Sequence, residues 1–82
     1  MEERYHTITI SIQDRDTAYQ KVGEILHQYA DHILLRTGYP IKEQNHAIIF
    51  IIAKMNNDAI GALSGKLGQI KFVKASTTTV NI

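Results

Sequence analysis

The stretch HAIIFIIAK, residues 46–54, decides the fold, because it holds seven consecutive apolar residues, 47–53, in a chain of 82. The run is far shorter than the ~20 residues that a membrane-spanning helix requires, so it predicts a buried strand. A strand that is apolar on both sides needs a cover on both faces. A domain of this size buries only about 60% of its unfolded surface. The sequence therefore raises the question of whether the chain covers this strand alone or with a partner.

The residues before this run predict a strand, a helix and a second strand. Residues 5–12, YHTITISI, alternate polar and apolar with the period of a half-buried strand. An apolar stripe at helical spacing predicts a helix over about residues 15–30, with Asp14 or Asp16 as its N-cap. A second strand is predicted over residues 34–39, closed by Pro40.

The residues after the run predict a helix, capped by Asn57 or Asp58, and a last strand over residues 72–80. The order of the elements is therefore strand–helix–strand–strand–helix–strand. This order predicts an α+β fold, a ferredoxin-like βαββαβ sandwich in which two helices cover one face of a four-stranded antiparallel sheet. The first and third strands are expected at the centre, within one domain spanning residues 1–82.

The two helices can cover only one face of this sheet, and Ile8, Ile10 and Ile12 are expected beneath them. Every second residue of the third strand joins them, and the residues in between lie on the open face. Burying each large aliphatic side chain there is worth roughly 1.5–3 kcal/mol, which favours an interface. We therefore predict a homo-oligomer, a dimer or a tetramer, built sheet against sheet; the alternative is an open face that stays wet. The candidate interface residues are Thr7, Thr9 and Ser11 with either Ile49 and Ile51 or Ile48, Phe50 and Ile52.

Composition argues against several classes of function. The chain has no cysteine, and its formal net charge is +1, with nine Lys and Arg scattered among eight Asp and Glu. Scattered basic residues disfavour direct nucleic-acid binding. The lack of cysteine fits a reducing cytoplasm, and the first ten residues, MEERYHTITI, contain no apolar block, so no secretory signal is predicted.

Neither catalytic chemistry nor a metal site is predicted. His6 and His46 begin the first and third strands, which puts them at opposite ends of an antiparallel pair. No catalytic residue, metal ligand or cofactor is therefore assigned.

Two further features are candidate binding elements. Gly61, Gly65 and Gly68 fall within a ~60° sector of the second helix. We interpret them as close packing against the first helix or, alternatively, as a docking groove. The two polar turns before the helices, residues 13–16 and 56–58, are interpreted mainly as helix caps. If a small effector binds, it is expected in a groove between these turns and a neighbouring subunit, at Gln13, Asp14, Arg15, Asn56 and Asn57.

Three segments resemble a small bacterial family of iron-only hydrogenase system regulators: DRDTAYQKV at residues 14–22, DHILLRTGYP at 31–40 and IGALSGKLGQI at 60–70. That family is similar in fold to ACT-type regulatory domains and to the C-terminal domain of the nickel-responsive repressor. The resemblance implies an ACT-like module that oligomerises through its sheet and binds small effectors at subunit boundaries. The chain departs from the nickel-responsive domain in lacking its cysteine and strand histidines, and from ACT domains in lacking a glycine at residues 13–16.

Together these observations predict a non-catalytic regulatory or sensing module, linked by the resemblance to the iron-only hydrogenase system. It would assemble through its sheet and bind a small effector or a partner protein at subunit boundaries. The alternatives are a purely structural interaction module without an effector and, third, a small enzyme with a site between subunits.

Overall fold

The computed structural model describes residues 2–82, and every strand in this part of the chain belongs to one antiparallel sheet of order β2-β3-β1-β4. The two helices pack on one face of that sheet, so the predicted ferredoxin-like βαββαβ fold is confirmed, with the first and third strands at its centre. Short 3₁₀ turns at Ala30–His32 and Lys42–Gln44 flank β2. The elements are β1 Arg4–Ile12, α1 Arg15–Gln28, β2 Ile33–Ile41, β3 His46–Met55, α2 Asn57–Gly68 and β4 Val73–Thr79.

The core lies between the sheet and the helices, and the inward side chains of β1 alternate as the sequence predicts. On β3 the inward residues have odd numbers, and Ile49 and Ile51 are 1% and 0% exposed. The antiparallel register places them opposite Ile10 and Ile8, and paired residues point to the same face. The alternative that placed Ile49 and Ile51 on the open face is therefore wrong, and the outward residues are Ile48, Phe50 and Ile52.

The predicted helix caps are half right. The Asp14 carboxylate accepts a hydrogen bond from the Thr17 amide, which makes Asp14 the N-cap of α1. For α2 the N-cap is Asn56, whose Oδ1 accepts from the Ala59 amide at 2.8 Å, one residue before the predicted position. Helix α1 ends at Gln28 rather than near residue 30, because a 3₁₀ turn follows it.

Strand β2 continues through Pro40, which the sequence predicted as its end. The β-ladder explains this tolerance. Backbone groups of β2 alternate between β3 and the free edge, and Pro40 falls in the set that points outward, with Arg36 and Gly38. An outward-pointing N–H of an edge strand has no partner in the sheet. A proline, which lacks the N–H, therefore fits this position.

Candidate functional site

The open face of the sheet is the main candidate surface, and it has an apolar half and a hydroxyl-bearing half. The register of the four strands arranges its side chains in three rows. Strands β2 and β3 supply mostly apolar side chains, whereas β1 and β4 supply mostly threonine and serine. The rows, read from β2 to β4, are Leu35–Ile52–Thr7–Thr78, Thr37–Phe50–Thr9–Ser76 and Tyr39–Ile48–Ser11–Lys74.

Several large apolar side chains of this face are exposed. Leu35 is 46% exposed, Tyr39 is 69% exposed and Ile48 is 40% exposed, while Phe50 and Ile52 are half-buried. The sequence reasoning missed Leu35 and Tyr39, because LLRTGYP does not alternate. The signal that finds them is the pairing of β2 with the apolar run of β3, which a single strand does not reveal.

The turn before α1 is tied to the turn before β3 through Asn45. The Asn45 side-chain amide donates to Asp14 Oδ1 at 3.1 Å and to Asp16 Oδ2 at 3.4 Å. The Asn45 carbonyl accepts from the Arg15 amide at 2.9 Å. Asn45 has a left-handed backbone with φ of 57°, a conformation that asparagine tolerates better than most residues. The Asp14 carboxylate thus serves a structural network.

Gln13 and Arg15, the other predicted ligand-binding residues of this turn, are less constrained. The Gln13 amide donates to the Phe72 carbonyl at 2.8 Å, and its side chain is exposed. Arg15 is half-buried beside Tyr19, with its guanidinium carbon 5.7 Å from the ring centroid. Its buried Nε has no hydrogen-bond partner in the described chain.

Asn56 and Asn57 lie at the opposite end of the sheet from these residues. Strand β1 ends at Ile12 beside Ala47, whereas β3 ends at Met55 beside Arg4. The eight-residue offset corresponds to about 27 Å along the strands. One subunit therefore does not bring the two turns together, and the predicted groove, which involves a neighbouring subunit, stays a prediction. The antiparallel pairing is the reason, as it is for His6 and His46.

The predicted ligand-binding residues line neither of two prominent surface depressions in the part of the chain described. One, of about 310 Å³, lies where the two chain ends meet; the other, of about 460 Å³, runs along α1. The first is lined by Glu2, Glu3, Arg4, Tyr5, Lys54, Val80 and Ile82, and the second by Tyr19, Gln20, Gly23, Glu24 and His27.

The three glycines of α2 do not pack against α1. A Cβ atom built on Gly61, Gly65 or Gly68 would meet no atom within 4 Å. The residue of α2 that contacts the end of α1 is Lys66, whose ammonium donates to Gln28 Oε1 at 3.2 Å and lies 5.2 Å from the Tyr29 ring centroid. The close-packing interpretation is therefore wrong, because the glycines occupy a different side of the helix.

The histidines have separate structural surroundings. His6 is buried, with Nε2 donating to the Met55 carbonyl at 3.1 Å and Nδ1 3.1 Å from the Thr79 hydroxyl. His32 Nδ1 donates to the Lys54 carbonyl at 3.2 Å. Within residues 2–82, no group of three or more His, Asp or Glu side chains converges as a metal site would require.

Neither described helix has the length and apolar composition needed to cross a bilayer.

Comparison with known proteins identifies relatives. No curated protein matches the chain. Among solved structures, it is similar to the uncharacterized protein TM1266 from Thermotoga maritima, with 51% identity and a TM-score of 0.94 over 98% of this chain and 100% of that one. A protein of unknown function from Galdieria sulphuraria shares the fold, with 12% identity and a TM-score of 0.66 over 99% of this chain and 47% of that one.

A family model described as "TM1266-like: Iron-only hydrogenase system regulator, putative" matches residues 4–77, which is most of the chain. The resemblance noted in the sequence is thereby confirmed, and the family's description supports a regulatory role. The chain belongs to the TM1266-like family of iron-only hydrogenase system regulators.

Proposed function

We propose that this protein is a non-catalytic regulatory module of the iron-only hydrogenase system, acting in the cytoplasm as one domain over residues 1–82. It assembles as a homo-oligomer through the open face of its sheet. A small effector or a partner protein binds at the boundary between subunits. The family description supports the regulatory part of this proposal, and the apolar half of the open face supports the assembly.

The energetics of the open face favour a partner. Leu35, Ile48 and Tyr39 keep 40% or more of their surface in water, and they lie in adjoining rows around Phe50. Each large apolar side chain moved from water into an interface contributes a favourable free energy, at about 25 cal/mol per Å². A contiguous apolar patch of this kind is typical of an interaction site.

The dimensions of the face set the strength expected of this interface. Four strands spaced about 4.8 Å apart and paired over about 27 Å give a face of roughly 500 Å². Two such faces bury roughly 1,000 Å² in total, the lower bound for a specific interface. The face is therefore expected to give a dimer of moderate affinity, unless other contacts add to it.

Sedimentation equilibrium of the Ile48→Lys variant tests the assembly. Ile48 lies in the third row of the open face, and a lysine there places a charge inside the proposed interface. The matched control is Ile82→Lys, since Ile82 is 94% exposed at the chain end. We expect Ile48→Lys to lower the assembly mass and the control to leave it unchanged. A wild-type protein that stays monomeric at high concentration contradicts the proposal.

A thermal-shift panel of amino acids, nucleotides and divalent metals tests the effector. A ligand at one hundred times its Kd raises the unfolding free energy by about 2.7 kcal/mol, which a melting curve detects. A shift lost in Ile48→Lys but kept in Ile82→Lys would place the ligand at the subunit boundary.

A structural interaction module without an effector is the second candidate. It is favoured by the turns themselves, because Asp14 and Asn56 are occupied as helix caps and neither depression involves the predicted ligand-binding residues. The absence of any shift across the panel, together with a stable oligomer, would support this candidate over the sensor.

A further inference from the structure

The two free edges of the sheet differ in how they are protected. Natural sheets guard their edges against pairing with other strands by means of proline, bulges and charges. The β2 edge has Pro40, which offers no outward N–H, and an irregularity between Ile33 and Leu35. The β4 edge, with the sequence VKASTTT, has neither proline nor bulge and carries a single charge, Lys74. Its pairing with β1 is continuous from residue 73 to residue 79.

The outward backbone groups of β4 follow from its hydrogen bonds to β1. The Val80 amide donates to the Tyr5 carbonyl, and the Gln13 amide donates to the Phe72 carbonyl, both at 2.8 Å. In an antiparallel ladder, bonded positions alternate, so even-numbered residues of β4 face β1. The amides and carbonyls of the odd-numbered residues therefore point out from the free edge; these are Val73, Ala75, Thr77 and Thr79.

We propose that a second copy of this chain pairs with this edge, β4 against β4 and antiparallel, to give a continuous eight-stranded sheet. This interface is distinct from the open-face contact proposed above, and the two together would build a tetramer. The two-fold axis passes through Ser76, which gives the greatest overlap of the two strands. The backbone amides and carbonyls of all four outward-facing residues then form hydrogen bonds with the partner's β4.

This register is compatible with the side chains that it brings together. Val73 lies opposite the partner's Thr79, and Ala75 lies opposite the partner's Thr77. On the other side of the sheet, Ser76 meets its own copy and Lys74 lies opposite the partner's Thr78. The single charge of β4 thus faces a hydroxyl rather than a second lysine, and like charges directly opposite would be destabilising. Threonine is also among the residues that favour strands.

The helices leave room for this pairing. Helix α2 packs on β4, and a two-fold axis normal to the sheet places its copy beside it on the same face. Two helices packed about 10 Å apart on a four-stranded sheet about 14 Å wide place α2 between β1 and β4, so a two-fold axis just outside β4 leaves the two copies of α2 about 9 Å apart, a normal packing distance. The side of α2 that faces away from α1 carries Gly61 and Gly68, about 140–160° around the helix from Lys66, beside the short side chains of Asn57 and Ser64. Because the two glycines carry no side chain and their neighbours there are short, the helices can approach closely.

Thr77→Pro tests the edge directly. It removes an outward amide and spares every bond to β1, so the monomer is expected to keep its fold. The control is Arg36→Pro, which removes an outward amide from the β2 edge. Sedimentation equilibrium in the wild-type and Ile48→Lys backgrounds separates the two interfaces. We expect Thr77→Pro to halve the mass in either background, and Arg36→Pro to change neither mass.

The outcomes distinguish this inference from the open-face proposal. A monomer only in the Ile48→Lys, Thr77→Pro double variant supports both interfaces. An unchanged mass for Ile48→Lys with a halved mass for Thr77→Pro supports the edge and contradicts the face. The edge interface is refuted if circular dichroism shows that the Thr77→Pro variant is folded and its assembly mass equals that of the same protein without this substitution.

A second variant keeps the inference testable if Thr77→Pro does not fold. Gly61→Gln replaces a glycine with a better helix former at a position where a Cβ meets no atom within 4 Å, so the melting temperature at the lowest protein concentration should rise. The same side chain would stand between the two α2 helices, and we expect it to weaken association tenfold or more. A rise in melting temperature without weaker association would overturn the inference.

Discussion

The assignment of the two sides of β3 is open to a direct test with neighbouring substitutions, Ile51→Ala and Ile52→Ala. The two isoleucines are adjacent in a central strand, so both substitutions remove the same atoms and the same β propensity. They differ in environment, because Ile51 is 0% exposed beneath the helices and Ile52 is half-buried on the open face. The difference in unfolding free energy between the two variants therefore measures the effect of the side of the sheet on which each residue lies.

The expected magnitudes follow from burial. Truncation to alanine removes three carbons, worth about 0.8 kcal/mol each when buried, or about 2.4 kcal/mol. At Ile51 the closed cavity adds to this, giving about 3–4 kcal/mol. At Ile52 solvent can fill the space, so we expect about 1–2 kcal/mol in the monomer. For a chain of 82 residues, total stability is about 4–12 kcal/mol, so Ile51→Ala would leave the protein marginal.

Urea unfolding followed by circular dichroism, at protein concentrations spanning two orders of magnitude, would measure both variants. Each kcal/mol corresponds to about 4–8 °C in melting temperature for a domain of this size, which gives a second readout. If the open face is an interface, the cost of Ile52→Ala should grow with concentration while that of Ile51→Ala stays constant. Equal costs for both variants at the lowest concentration would refute the assignment of the faces.

Three further predictions concern the turns and the second helix. Asn56→Ala should lower the unfolding free energy by about 1 kcal/mol through loss of the α2 cap, and no change in the urea midpoint would contradict that role. Asn45→Ala should cost about 2 kcal/mol, because it loses the bonds to Asp14 and Asp16 and strains a left-handed backbone; Asn45→Gly should recover the backbone part, and equal losses would argue against strain. Gly61→Ala should raise the stability of the monomer by about 0.5–1 kcal/mol, since its Cβ meets no atom within 4 Å, and a lower melting temperature in dilute solution would contradict these open surroundings.

Local sequence signals were sufficient for the elements and their order. The alternation of residues 5–12 placed Ile8, Ile10 and Ile12 inward, and all three are buried. The order of strands and helices predicted the fold, because few topologies arrange βαββαβ with both helices on one face. The predicted end of β2 was wrong. A proline interrupts a strand only where a neighbouring strand would accept a hydrogen bond from the missing N–H, and the sequence does not show where such a neighbour lies.

The candidate binding residues could be predicted only in part, because their meeting depends on distance in space. Gln13 and Asn56 both belong to polar turns before helices, and the sequence gives no separation between them. The antiparallel pairing of β1 with β3 puts these turns about 27 Å apart. In the same way, helical spacing grouped the three glycines of α2 on one side, but it could not say which neighbour that side would meet.

The sequence by itself determined the secondary structure, the βαββαβ order and the need to cover an unusually apolar central strand. These properties depend on periodicity, capping and composition, which are local. Only the tertiary structure decided which side of β3 is open, since seven consecutive apolar residues have no period and the register with β1 alone distinguishes their two faces. It also decided that Leu35 and Tyr39 join the open face and that the β4 edge remains unpaired, because both follow from the order of strands in the sheet.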